Sequence, residues 1–146
     1  MRYLLAVNFD GGVIQTPMEE WKPKEITAHL DYYKALYEQL VSSGELVDSQ
    51  ILTGPNLAKI VTSDGLTAPV VTDGPFQEFK EWIAGYQIVD VESEARAIEI
   101  AAQISAVPGP GGAATQQPIQ VRQVMDQAPS DVVEMEAFLQ QVGEQH

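Results

Sequence analysis

Apolar periodicity along this chain switches between two and about 3.6 residues in the order strand, helix, strand, strand, strand, helix, strand. That order predicts an α+β fold, a ferredoxin-like antiparallel sheet with two helices on one face. Two further observations agree with it. The first strand segment is apolar on both sides, and only two helical stretches able to cover a sheet occur before residue 125. The 146 residues, 45% of them hydrophobic, make one domain with a core of its own.

Residues 2 to 9 place Tyr3, Leu5, Val7 and Phe9 on one face of a strand and Leu4 and Ala6 on the other. A helix over 24–42 follows, started by Pro23 and closed by Gly44, with Ile26, Leu30, Tyr33, Tyr37 and Leu40 as its apolar stripe. Short β-prone runs at 46–52, 57–62 and 69–72 are separated by Gly54-Pro55-Asn56 and Ser63-Asp64-Gly65, and they read as an antiparallel meander. A long strand runs from Trp82 to Val91. Ser93 then caps a second helix, with Glu94 in its first turn and Ala97, Ile98, Ala101 and Ile104 on one face. Pro108 ends this helix, and Ile119 to Met125 alternate as the last strand. Helices on one face leave the other bare, and apolar residues there predict a sheet-to-sheet homodimer.

Composition narrows the function classes. Twenty-one acidic against eight basic side chains give a formal net charge of -13, a field that repels nucleic-acid backbones and anionic membranes, so neither is an expected partner. With no cysteine there is no thiolate metal site or cysteine nucleophile. The amino-terminal apolar stretch, Tyr3 to Val7, is shorter than a signal-peptide core, and the reading is cytoplasmic. No dinucleotide fingerprint, phosphate-cradling loop or metal-ligand cluster is present, so no cofactor and no metal are implied.

Residues 72 to 86 read Thr72-Asp73-Gly74-Pro75-Phe76-Gln77-Glu78-Phe79-Lys80-Glu81-Trp82-Ile83-Ala84-Gly85-Tyr86. This segment resembles the signature of the YCII-related family, in its subgroup named after the Asp-Gly-Pro-Phe tetrapeptide. The usual continuation Lys-Glu-Gln-Leu-Gly-Gly-Tyr is matched by Lys80-Glu81 and Gly85-Tyr86. A closing Glu-Val-Arg-Pro-Val pattern is represented by Gln120 to Val124, with Arg122 matching and the glutamate absent. The resemblance covers about residues 1 to 125. It implies a ferredoxin-like dimer akin to small αβ-barrel enzymes, an uncharacterised biochemical function, and a His/Asp active site.

His29 and Asp73 are the candidate catalytic pair. His29 lies about 60° from Ile26 on the helical wheel, at the margin of the apolar stripe. Histidine is the side chain whose unperturbed pKa is nearest neutrality, which suits a boundary imidazole to acid/base work, whereas a half-buried histidine satisfied by water or a carbonyl is the structural alternative. Asp73 opens a turn in which glycine permits positive φ, proline fixes its own and phenylalanine anchors the loop; its carboxylate either accepts from backbone N–H groups or orients His29. Glu78 and Lys80 read as a solvated face. Arg122, Tyr33 and Tyr86 are candidate substrate contacts. Arg122 would hold an anionic group or pair with Asp73 or Asp90, and the tyrosines would line a pocket or pack in the core or dimer interface.

The domain reading is therefore 1–125, followed by an acidic extension over 126–146. That extension has five acidic and no basic side chains, and Val132, Met135, Leu139 and Val142 recur at helical spacing. Two functions are compatible with the sequence. One is a small cofactor-free enzyme doing acid/base chemistry on a small organic molecule; the other is a non-catalytic ligand-binding or regulatory interaction module.

Overall fold

A computed structural model describes residues 1–9, 12–14, 16–74 and 82–144. Pro75, Phe76, Glu78, Lys80 and Glu81 of the signature segment and the terminal His146 lie outside the described residues. Among the described residues three α-helices and an antiparallel four-stranded sheet make an α+β fold. Strand β1 is Arg2–Asn8, helix α1 Pro23–Ser42, and β2, β3, β4 and β5 are Leu46–Ile51, Lys59–Thr62, Val70–Asp73 and Ile83–Asp90. Helix α2 is Glu94–Ser105, β6 Ile119–Gln123 and α3 Val132–Glu144.

The sheet order is β2-β5-β1-β6, all neighbours antiparallel, with β5 and β1 as the two inner strands. Tyr3, Leu5 and Val7 sit opposite Val89, Gln87 and Gly85 and share the face on which both helices pack. The core there unites those strand residues with Leu36 and Leu40 of α1 and Ala97, Ile100, Ala101 and Ile104 of α2. Leu5, Leu40, Ile100, Ile104, Val89 and Val107 are fully buried.

Local chemistry fixes the helix ends. Gly44 takes φ 77°, the left-handed conformation that closes α1, and the Arg96 N–H donates to Ser93 Oγ at 3.2 Å to cap α2. Two expected stripes shift. Ile98 is 54% exposed and Ile100 takes its place, because the step from Ala97 to Ile100 stays on one helical face while the step to Ile98 turns about 100° away. In α1 the buried positions are Leu36 and Leu40, and Leu30 faces an open cleft.

The expected meander divides. β2 pairs with β5, whereas β3 and β4 form a two-stranded sheet of their own. The four β segments read between α1 and α2 all form strands, but only β2 and β5 join the main sheet, where the order strand, helix, strand, strand, strand, helix, strand counts three. α3 forms from residues 132 to 144, but Val132, Met135 and Leu139 of its stripe remain largely exposed; the Val142 side chain lies outside the described residues. Among the described residues no helix is long and apolar enough to cross a membrane.

Candidate functional site

Between α1, from His29 to its carboxyl end, and the paired strands β2 and β5 a cleft of about 1070 Å³ opens, walled by Leu30, Val41, Ile51 and Ala84 and reached by His29 and Tyr33. Its base is set by Gly85 on β5. A Cβ there would lie 2.7 Å from the Gln50 carbonyl oxygen, so glycine is what lets β2 approach β5 at this point.

His29 is fixed by the chain that follows α2. Its Nδ1 lies 2.9 Å from the Pro108 carbonyl oxygen. A carbonyl only accepts, so Nδ1 carries the proton and the neutral ring keeps its lone pair on Nε2. The ring stands edge-on between Trp21, at 5.4 Å between centroids, and Tyr33, at 5.2 Å. The same face of α1 is tied to the 103–112 segment at two further points. Tyr32 Oη donates to the Gln103 carbonyl at 2.6 Å, and the Gly111 N–H donates to the Glu25 carboxylate. The Gly111 and Lys22 amides hold the Glu25 carboxyl below its usual value. Three contacts at helical spacing therefore tie α1 to this segment, and the Pro108 contact sets the orientation of the imidazole.

Deeper along α1, Tyr33 and Tyr37 continue the aromatic row with centroids 5.7 Å apart. Burial, then the neighbouring Tyr37 and Tyr32 hydroxyls, push the Tyr33 phenol up to about 12, so at neutral pH it remains an uncharged hydrogen-bond donor. Gln87, 4% exposed, donates from Nε2 to Tyr37 Oη at 2.9 Å, and Ser49 Oγ lies 3.2 Å from the same oxygen. Apolar walls, an imidazole with a bare nitrogen and a polar floor suit this cleft to binding a small organic molecule and moving a proton on it.

The sequence-derived candidates are not gathered in one place. His29 and Tyr33 line the cleft. Asp73 sits at the end of β4, where Lys59 Nζ donates to its Oδ1 at 2.6 Å; both side chains are exposed, and the group that orients His29 is the Pro108 carbonyl. Tyr86 and Arg122 point to the opposite face of the sheet, in register with Ala6 and Leu4. The pairing of Arg122 with Asp73 or Asp90 does not form, because Lys59 takes the first carboxylate and the amino terminus takes the second at 2.9 Å. Tyr86 Oη reaches Asp48 Oδ2 at 3.5 Å.

Gln87 and the Pro108 carbonyl were missed as site groups. Gln87 had a readable signal, since a glutamine between Gly85 and Val89 on the inward row of a strand is out of place in a core. The carbonyl had none, because its role depends on a contact 79 residues away in the chain. Among the described residues no three His, Cys, Asp or Glu side chains come together as a metal site.

A family model, that of the YCII-related domain, matches residues 1–119. No curated protein matches the chain.

Proposed function

The chain belongs to the YCII-related domain family, and we propose that it is a small cofactor-free enzyme doing acid/base chemistry on a small organic molecule, with His29 as the group that takes and returns the proton. The observation that carries this reading is the 2.9 Å contact of His29 Nδ1 with the Pro108 carbonyl, in a ring that lines a mostly apolar cleft. Fixing one ring nitrogen as a donor makes the other a base of defined direction, which is the orientation a general base needs. A C–H bond polarised by an adjacent carbonyl would give its proton to Nε2 and its electron pair to the carbonyl oxygen, and the imidazolium would return a proton to carbon or oxygen. Tyr33 contributes a neutral wall and donor. Asp73 closes the β3–β4 hairpin through Lys59 in this reading and stands outside the proton path.

The Asp73-Gly74-Pro75-Phe76 tetrapeptide supports placing the chain in the subgroup named for it. The strand order β2-β5-β1-β6 with intervening helices supports a ferredoxin-like topology. The sheet face away from the helices, with half-buried Leu4, Tyr86 and Ile88 around Ala6, supports a homodimer joined there, in which Tyr86 and Arg122 are interface residues. The acidic charge, which repels anionic membrane surfaces, supports a cytoplasmic protein.

The test is deuterium exchange. Small carbonyl compounds incubated with the protein in D₂O should lose α-C–H signals in the proton NMR spectrum, and His29→Gln should slow that loss by roughly 10² or more. Ligands that bind the cleft without exchange, or exchange that His29→Gln leaves unchanged, would favour the non-catalytic binding module.

A further inference from the structure

Gln87 stands at the cleft floor with one of its two polar atoms unanswered. The residue is 4% exposed, its Nε2 donates to Tyr37, and its Oε1 is buried without a hydrogen-bond partner. Burying an amide oxygen unpaired is unfavourable, so a position of this kind is retained where something answers it. The Tyr37 hydroxyl beside it accepts from Gln87 Nε2 and Ser49 Oγ, which occupies both of its lone pairs and leaves its own proton to give. The floor thus offers one acceptor and one donor side by side.

Resting on the reading of this cleft as the ligand site, we propose that Gln87 and Tyr37 select an uncharged, mainly apolar ligand bearing a hydroxyl group, which donates to Gln87 and accepts from Tyr37. A hydroxyl is the smallest group that does both. Exchanging the oxygen and nitrogen of the Gln87 amide leaves an N–H in the same place, and a hydroxyl answers that as well. Charge is disfavoured because the charged groups lining the cleft, Lys34 and Glu38, are exposed and of opposite sign, four residues apart on α1. His29 and Tyr37 are eight residues apart, about 12 Å along the helix axis. The substrate's hydroxyl is therefore held well away from the carbon that exchanges its proton, on a body long enough to lie along the aromatic row.

The experiment uses the full chain, labelled with ¹⁵N, titrated with 1-indanol and with indane, which differ only in the hydroxyl. The alcohol should bind roughly five- to tenfold tighter and shift the Gln87 side-chain amide signal. Gln87→Leu should abolish the preference while keeping the folded spectrum. If that variant does not fold, Tyr37→Phe, which removes only the phenolic hydroxyl, should diminish the preference instead. Equal affinities in the unmodified protein, no binding of either compound at millimolar concentration, or a preference that survives these substitutions in folded protein would overturn the proposal. His29→Gln should leave the preference intact. A hydroxyl preference without His29-dependent exchange would sink only the catalytic reading, and exchange without the preference only this one.

Discussion

Glu45→Ala should remove the best-formed ion pair of the fold. Arg96 donates to Glu45 from Nε and from a terminal nitrogen, both at 2.9 Å, and the two side chains are only 32% and 16% exposed. The fork joins the turn after α1 to the first half of α2, and Ser43 Oγ adds a third donor at 2.8 Å. Charge-assisted hydrogen bonds contribute about 1.5 to 3 kcal/mol each when sheltered; with partial solvent access, and with Glu99 retained as a second partner of Arg96 at 3.1 Å, a net loss of about 2 kcal/mol is expected. For a chain of this length that lowers Tm by roughly 4 to 8 °C at neutral pH. Arg96 holds the Glu45 carboxyl below its ordinary value of 4.5, so the stabilisation is complete above that value and is lost as pH falls through the lower folded-state value. Scanning calorimetry of both proteins should show a gap that narrows as pH drops below the ordinary carboxylate range. A gap that persists unchanged in acid, or a shift under about 1 °C at neutral pH, would refute the ionic origin of the effect.

Gly85→Ala should destabilise the protein by about 1 to 3 kcal/mol in urea unfolding, because the new Cβ meets the Gln50 carbonyl at 2.7 Å and β2 must move away from β5. Truncation after Met125 should leave cooperative unfolding with a Tm within about 4 °C of the full chain, since the α3 stripe residues Val132, Met135 and Leu139 are 71%, 43% and 57% exposed. Leu4→Asp places a charge on the sheet face opposite the helices, so it should yield a folded monomer in light scattering; an unchanged dimer would move the interface elsewhere.

The periodicity of residues 2 to 9, the caps at Ser93 and Gly44, and the last strand were legible because each is set by neighbours in sequence. Departures arise where long-range contacts decide. β3 and β4 show the same local strand pattern as β2, and nothing in their residues marks them as leaving the sheet; that follows from β2 taking the only edge that β5 offers. The candidate site divides in the same way. The placement of His29 at the stripe margin was readable from a helical wheel, and the structure puts it on the cleft. Its hydrogen bond to Pro108, the Lys59 partner of Asp73 and the outward direction of Arg122 depend on register and on contacts across the chain, which local spacing does not encode.

The tautomer of His29 tests the central claim most directly. In a long-range ¹H–¹⁵N correlation spectrum of the neutral imidazole, Nδ1 should show the shift of a protonated ring nitrogen and Nε2 that of a bare one, because the Pro108 carbonyl accepts at 2.9 Å from Nδ1. A neutral His29 protonated on Nε2 would break that hydrogen bond and leave Nε2 without a lone pair, and the assignment of His29 as the base would fall.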